Sequence, residues 1–422
     1  MKRRTLIVSL LLIIALSFGF MSCRPRQQQA AQPGGPTELT IALWHYTTQP
    51  EFERTLNAYT AQNPNVRFDI IDTLTSNYVE VITTQLAGGR AIDVLYVLNV
   101  PFHAQMIASR QLRDITDRIA NMPSAQNMRS SLDGVRAADN RTYAVPWRQD
   151  FWPLYYNRDL FDAAGEPYPD NLTWDQYRDL AARLTRGSGA TKVYGSHLHT
   201  WNSITQCLSA VQLQQNLITD DFGFLRYMYQ IRTAMQNAGS IMDYGTIVAG
   251  NVGYRPRFEN QLAAMMIMGS WYIGELAERA TFNLGIAPVP QMPGARGVRT
   301  MGNPTPVGIP VGARNVDEAW RFIEFTTGEP GALILAELGI PSAFKNDRVN
   351  NTFFNLPGMP RDALSMRAFN PDSVSTEWPM HPLSGTIDNI LNQEHQLILV
   401  GEATIDEGIR RMGERASREI RR

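Results

Sequence analysis

YAVPWRQDFWPLYYNRDLFDAAGEPYPDNLTWDQYRDLAARLTR, residues 143–186, decides how the chain is read. Tyr143 to Pro146 is a short apolar run ending at a proline, which predicts a strand. Trp147 to Trp152 is polar and aromatic and predicts a turn. Leu154 to Tyr156 predicts a second strand. Asn157 to Asp162 reads as the start of a short helix that Gly165 ends. Pro167 and Pro169 exclude helix in the interval that follows. Thr173 and Gln176 have the spacing of a capping box. Beyond them Tyr177, Leu180, Ala181 and Leu184 make one apolar helix face. Arg183 and Arg186 suit the negative C-terminal end of that helix, and Gly187 stops it.

The flanking sequence continues the alternation. Leu39, Ile41 and Leu43 predict a strand over Glu38 to Trp44. Phe52, Leu56 and Tyr59 give the helix after Pro50 its inner face. Val66, Phe68 and Ile70 alternate as a second strand. Tyr78 to Ala87 predicts a helix stopped by Gly88 and Gly89. Ile92 to Leu98 is continuously apolar, as a buried parallel strand should be. Strand, helix, strand, helix, strand is the α/β pattern. Further helices are predicted over Gln105 to Ile119, Trp201 to Leu213, Leu225 to Asn237 and Arg257 to Ala263. Ala264 to Met268 predicts a buried strand, and Ser270 is placed to cap the helix after it. Asn315 and Glu318 open another helix. Thr404 and Glu407 open the last, with Ile405, Ile409, Met412, Ala416 and Ile420 inward.

With 39 basic and 40 acidic side chains, the charge balance points to no nucleic-acid partner. The 2 cysteines, Cys23 and Cys207, are too few for a zinc site of four thiolates. Cys207 falls on an apolar helical face and reads as buried and inert. Lys2, Arg3 and Arg4 precede the apolar run Thr5 to Met21, the pattern of a signal peptide, with a membrane-spanning anchor as the rival reading. Ser22-Cys23 at the end of that run resembles a bacterial lipobox, which would make Cys23 the lipidated N-terminus. Arg24 to Thr37 is rich in Gln, Pro and Gly and predicts a disordered tether. No G-x-S-x-G, H-E-x-x-H, P-loop or Rossmann glycine pattern is present, so no catalytic residue, metal ligand or cofactor is assigned.

The organising stretch, with its strand to Pro146, its "YYNRDLFDAAG" and its "TWDQY…AARLT", resembles the extracellular solute-binding proteins of family 1. These are the maltose-binding-protein-like sugar-binding lipoproteins of ABC importers. The match continues in order through "LWHYTT", "AGGRAIDVLYV", "GSW", "LGIAPVPQMPG", "EAWRFIEFTTGEPG", "LAELGIPS" and "GEATIDEGI", from Glu38 to Ile420. Ile92 stands where the family usually has a proline. The resemblance implies an α/β, two-lobed, type II periplasmic-binding-protein-like fold. Each lobe would be a mainly parallel sheet flanked by helices, with the ligand cleft between them. Residues 1–22 would be the signal peptide and 23–37 the lipidated tether. Lobe 1 would be 38–147 with 305–329, and lobe 2 would be 148–304 with 330–422. Chain crossings are expected near Trp147, Gly302 to Pro306 and Glu329.

Sugar rings have apolar faces and hydroxyl rims, so their sites combine aromatic planes with planar or charged polar groups. Loops at the carboxyl ends of strands supply candidates here. The expected ligand-binding set is Trp44, His45, Tyr46, Asn99, Trp147, Asp150, Phe151, Trp201, Trp271, Tyr272, Trp378 and His381. Trp152, next to Pro153, reads as packing. The expected function is capture of a carbohydrate outside the cytoplasmic membrane and delivery to ABC permease subunits. The protein would be a monomer held at the membrane by the Cys23 lipid. A carbohydrate-active lipoprotein enzyme and a sensory module of the same fold remain open at this point.

Overall fold

Two mixed sheets carry the molecule, and the computed structural model describes them within residues 35–422. The expected signal peptide, the lipidation expected at Cys23 and most of the expected tether fall outside the described residues. The first sheet has the order β2-β1-β3-β10-β4. Its strands are β1 (Thr37–Trp44), β2 (Val66–Thr73), β3 (Val94–Tyr96), β4 (Ala144–Gln149) and β10 (Pro304–Gly308). The second has the order β6-β7-β5-β8. Its strands are β5 (Leu154–Asn157), β6 (Tyr194–His197), β7 (Ala263–Ile267) and β8 (Leu284–Ala287). A short parallel pair, β9 (Arg299–Met301) and β11 (Ser373–Ser375), lies at the passage between the sheets. This is the two-lobed α/β architecture, each sheet flanked by helices.

Each sheet contains one strand running against the rest. In the first sheet β1 is parallel to β2 and β3, whereas β10 is antiparallel to β3 and β4. In the second, β6 and β7 are parallel and β5 is antiparallel to β7 and β8. The reversed strands, β10 and β5, are those entered directly from the other sheet. A chain leaving the carboxyl end of β4 enters β5 from the same side, so it must run the opposite way. The crossings therefore gather where the carboxyl ends of the other strands point, which is where ligands of open α/β sheets bind.

The crossing itself is a hydrogen-bonded ladder of three segments. Asp150 and Trp152 donate backbone N–H groups to Asn303 O (3.1 Å) and Met301 O (3.0 Å). Gly302 donates to Ser375 O at 2.9 Å. The Asn303 side chain accepts from the Glu377 N–H at 3.1 Å.

Local signals behave as the sequence dictates. Both capping boxes form, at Thr173–Gln176 and Thr404–Glu407. Gly165 ends its helix with φ 67°. Long-range context changes other expectations. β4 extends through Gln149, because Arg148 and Gln149 pair with Thr305 and Pro304. The turn is thus Asp150 to Pro153, shorter than expected. The single helix over Gln105 to Ile119 is two pieces, Val100–Ala108 and Thr116–Ala120. Arg110 between them takes φ 54°, and Leu112 bridges to Pro310. The helix expected at Arg257 to Ala263 is Tyr254–Glu259, and β7 begins at Ala263. Among the described residues no helix is long and apolar enough to cross a membrane.

Candidate functional site

Three loop entries converge at the carboxyl ends of the second sheet. The segment after β6 brings His199 and Trp201, the segment after β7 brings Gly269, Ser270 and Trp271, and the entry to β5 brings Trp152. Their rings form one cluster. Trp152 meets Trp271 edge-on at 5.4 Å and Trp201 edge-on at 6.3 Å. Trp201 and Trp271 lie 6.3 Å apart at 42°, and His199 sits 4.3 Å from Trp201. Tyr254 closes one side, 6.2 Å from Trp201. Trp152 is only 2% exposed and forms the floor, whereas Trp201 is 43% exposed and Trp271 half-buried. The accessible indoles are therefore Trp201 and Trp271.

Gly269 has a specific reason to be glycine. A β-carbon there would fall 1.9 Å from the Trp271 ring. The indole folds back over its own backbone and fills that space. Ser270 does not cap the following helix as the sequence suggested. Its Oγ instead accepts the Phe151 N–H at 3.0 Å and lies 3.4 Å from Asp150 Oδ1, while its own N–H donates to Phe151 O. The strand-to-helix turn of lobe 2 is thereby tied to the crossing.

Carboxylates surround the rings. Trp152 Nε1 donates to Glu377 Oε1 at 2.9 Å. Asn202 donates to Asp388 at 2.8 Å. Asn202 precedes a π-helical turn, Ser203–Cys207, that leads into the helix Leu208–Leu213. Such turns widen a helix start and are frequent at functional sites. Burial pushes Glu377 up to about 7, against the lowering effect of the Trp152 N–H, with Asp388 and Asp150 adding repulsion. Burial also raises Asp150, opposed by Arg148, Ser270 and Lys345. Asp388 is raised by burial against its bond from Asn202. On the lobe 1 side, Arg148 and Glu51 form a buried ion pair at 3.2 Å. Burial raises Glu51 even so, and its Arg148 partner opposes the rise.

The Glu377 shift makes a testable prediction. Its folded value lies above its ordinary one, so the neutral form is favoured by folding. That contribution is complete below about pH 4.5 and is lost as pH rises through about 7. Wild type should therefore lose stability relative to Glu377→Gln between about pH 5 and about pH 8. Thermal melts of both proteins at the two pH values check it. A difference that does not change with pH would mean that the carboxyl titrates normally.

The structure brings together Trp201, Trp271, Asp150 and, through Ser270, the Phe151 backbone. Other expected residues have other work. Trp44 is 2% exposed and packs edge-on against Phe52, Tyr78 and Tyr96 in the lobe 1 core. Trp147 stacks on Phe52 at 5.2 Å and is also buried. With their faces covered, both leave the candidate set. His45 takes φ 52°, and its Nε2 accepts the Thr75 N–H that starts a helix. Tyr46 donates its backbone N–H to Asp72. Asn99 caps the helix Val100–Ala108 by accepting from Phe102. Tyr272 is buried, with its hydroxyl on Glu259. Trp378 is buried beside Cys207. His381 accepts the Leu383 N–H within its own turn. The Phe151 ring faces away, toward Phe369. Trp152 packs as expected and forms the floor, whereas the sequence reading did not single out Asp388 or Tyr254.

Two cavities, of about 580 and 400 Å³, lie elsewhere. The first lies by β8 among Arg158, Tyr168, Phe282 and Met359, and the second among Arg110, Arg113, Arg118 and Arg141. The first joins Tyr168 to Asp162 and Asp362, but it lies where β8 begins, at the end of the sheet away from the crossings, and the second is lined chiefly by arginines, so the aromatic cluster is the stronger candidate. No group of three or more His, Cys, Asp or Glu side chains among the described residues could hold a metal ion.

Comparison with known proteins gives a consistent set. The family model of the bacterial extracellular solute-binding proteins matches residues 45–333. A crystal structure of a sugar transporter from Rhizobium etli in an open conformation is 30% identical. It superposes with a TM-score of 0.76 over 90% of this chain and 99% of that one. A binding protein of Brucella abortus is 23% identical over 324 residues, 69% of this chain and 72% of its own length. An ABC substrate-binding protein from Listeria monocytogenes, in complex with cycloalternan, shares the fold. Its TM-score is 0.78 at 17% identity, covering 91% of this chain and 99% of that one.

Proposed function

Because this chain belongs to the bacterial extracellular solute-binding proteins, a family of binding proteins rather than enzymes, we propose that it captures a carbohydrate over Trp201 and Trp271 and hands it to the permease of an ABC importer. The observation that carries this reading is the pair of accessible indoles beside Asp150, Glu377 and Asp388. The rings offer faces to the C–H side of a sugar, and the carboxylates accept its hydroxyls. Asp150 and Asp388, joined by Glu377 once pH rises through about 7, disfavour sugar phosphates and uronates through like-charge repulsion. Ligand binding raises the melting temperature, because stabilisation follows RT ln(1 + [L]/Kd). A thermal-shift screen of neutral mono-, di- and trisaccharides, with the anionic sugars as controls, tests the reading. A response confined to the anionic sugars, or none at all, would reject it.

The lobes close on the ligand about the three-segment ladder at Asp150, Gly302 and Ser375. Cys23 carries the lipid that holds the protein outside the cytoplasmic membrane. Mass spectrometry of the mature wild-type protein should then find an acylated Cys23 as its first residue. An unmodified thiol there would remove the anchor from this account.

A further inference from the structure

Arg232, on the helix Arg226–Asn237, is 1% exposed, and its guanidinium meets no carboxylate among the described residues within ion-pair distance. Its neighbours are neutral. Tyr244 lies under it at 5.8 Å, Tyr177 and Tyr229 are close by, and the nearby His197, His199 and His395 are held uncharged by burial. Burying a charge without a counter-ion is costly, and an apolar side chain of similar size is often more stable in such a place. A sequence that keeps such a charge has broken a local rule, and broken rules concentrate at functional sites.

Its hydrogen bonds show what the charge is used for. Nη1 donates to Thr205 Oγ1 at 3.1 Å, and Nη2 donates to His199 O at 2.6 Å. His199 Nδ1 in turn accepts the Trp201 N–H at 3.0 Å. Thr205 belongs to the π-helical turn, and His199 lies just beyond the end of β6. One planar group thus holds both ends of residues 199–205, the segment that presents Trp201, Asn202 and Ser203. Lysine could not reproduce this, since its ammonium lacks the rigid fork.

We propose that Arg232 is a positioning residue, which fixes the segment 199–205 so that Trp201 stands as a ready-made binding surface without touching the ligand itself. The importance of that surface rests on the carbohydrate reading given above; the clamp does not. Pre-organisation of this kind raises affinity by removing the ordering cost from the binding step.

The test compares wild type with Arg232→Met, Arg232→Lys and Thr205→Val. Hydrogen exchange of the unliganded proteins reads the clamp directly. Arg232→Met should speed exchange in 199–205 by roughly tenfold or more, as expected for lost bonds from a charged donor. Its melting temperature should change little, because removal of the buried charge offsets the two acceptors left without a donor. Affinity for maltotriose or mannotriose, whichever the wild type binds, should fall roughly tenfold. Lys at 232 and Val at 205 each leave one arm of the clamp, so both should fold and show smaller changes of the same kind. Unchanged exchange in 199–205 overturns the proposal. So does a loss of protection spread over the whole chain with a lower melting temperature, which would make Arg232 a general stabiliser. If the wild type binds neither of these nor any other sugar of the neutral panel, the carbohydrate reading fails while the exchange data still decide the clamp.

Discussion

Trp201→Ala is expected to weaken saccharide binding about thirtyfold or more while leaving the unliganded protein as stable as wild type. A side chain 43% exposed contributes little packing that its removal could forfeit. Its loss from a binding surface is another matter, since truncating an aromatic anchor costs about 2 kcal/mol or more. Trp271→Ala should behave differently. Its ring is half-buried, lies over Gly269 and meets Trp152 edge-on. Its removal should lower both affinity and melting temperature. The pair of variants therefore separates surface from support. Calorimetric titration with thermal melts on both proteins provides the measurements. Intact affinity in Trp201→Ala would place the ligand elsewhere.

Gly302→Ala is expected to damage stability and binding together. A β-carbon at this position would fall 1.9 Å from Asp150 O and 2.8 Å from Val374 Cγ1. The nearer atom is backbone, so no rotamer change relieves the clash. The ladder must open by an ångström or more, and overpacking of this kind costs about 1–3 kcal/mol. The displaced segments are those that hold Asp150 and, through Asn303, Glu377. Affinity should therefore fall at least about tenfold, a loss of roughly 1.4 kcal/mol. Small-angle scattering should also show a reduced ligand-induced decrease in radius of gyration. Gly312→Ala is the control, because nothing lies within 4 Å of a β-carbon there. If Gly302→Ala matches Gly312→Ala in melting temperature, affinity and compaction, the ladder does not govern closure.

What could be read from the sequence was what is local. The capping boxes at Thr173 and Thr404 need only residues three apart, and both formed. The helix face of Tyr177, Leu180, Ala181 and Leu184 is buried for the same reason. The ordered resemblance along the chain gave the two-lobed fold. The extent of β4 was hidden, because its last residues are fixed by β10, more than a hundred residues later. The site was read least well. Trp44 and Trp201 both follow or end a strand in an aromatic loop, and nothing local tells them apart. Trp44 is enclosed by Phe52, Tyr78 and Tyr96, which arrive from three other segments, whereas Trp201 is left open. Trp152 looked like packing, and it is packed. Its indole N–H nevertheless holds Glu377, 225 positions away. Arg232 carried no motif, since its meaning lies in two acceptors on one loop.

The central claim is that a saccharide lies on Trp201 and Trp271. Fluorine NMR of protein labelled with 5-fluorotryptophan addresses it most directly, since the 8 tryptophans give separate reporters that single Trp→Phe variants assign. During titration with the neutral saccharide panel, the signals of Trp201 and Trp271 should move and saturate with at least one sugar, while those of the enclosed Trp44 and Trp147 move less. If no signal moves with any saccharide, or if Trp44 and Trp147 respond while Trp201 and Trp271 stay still, the account is contradicted.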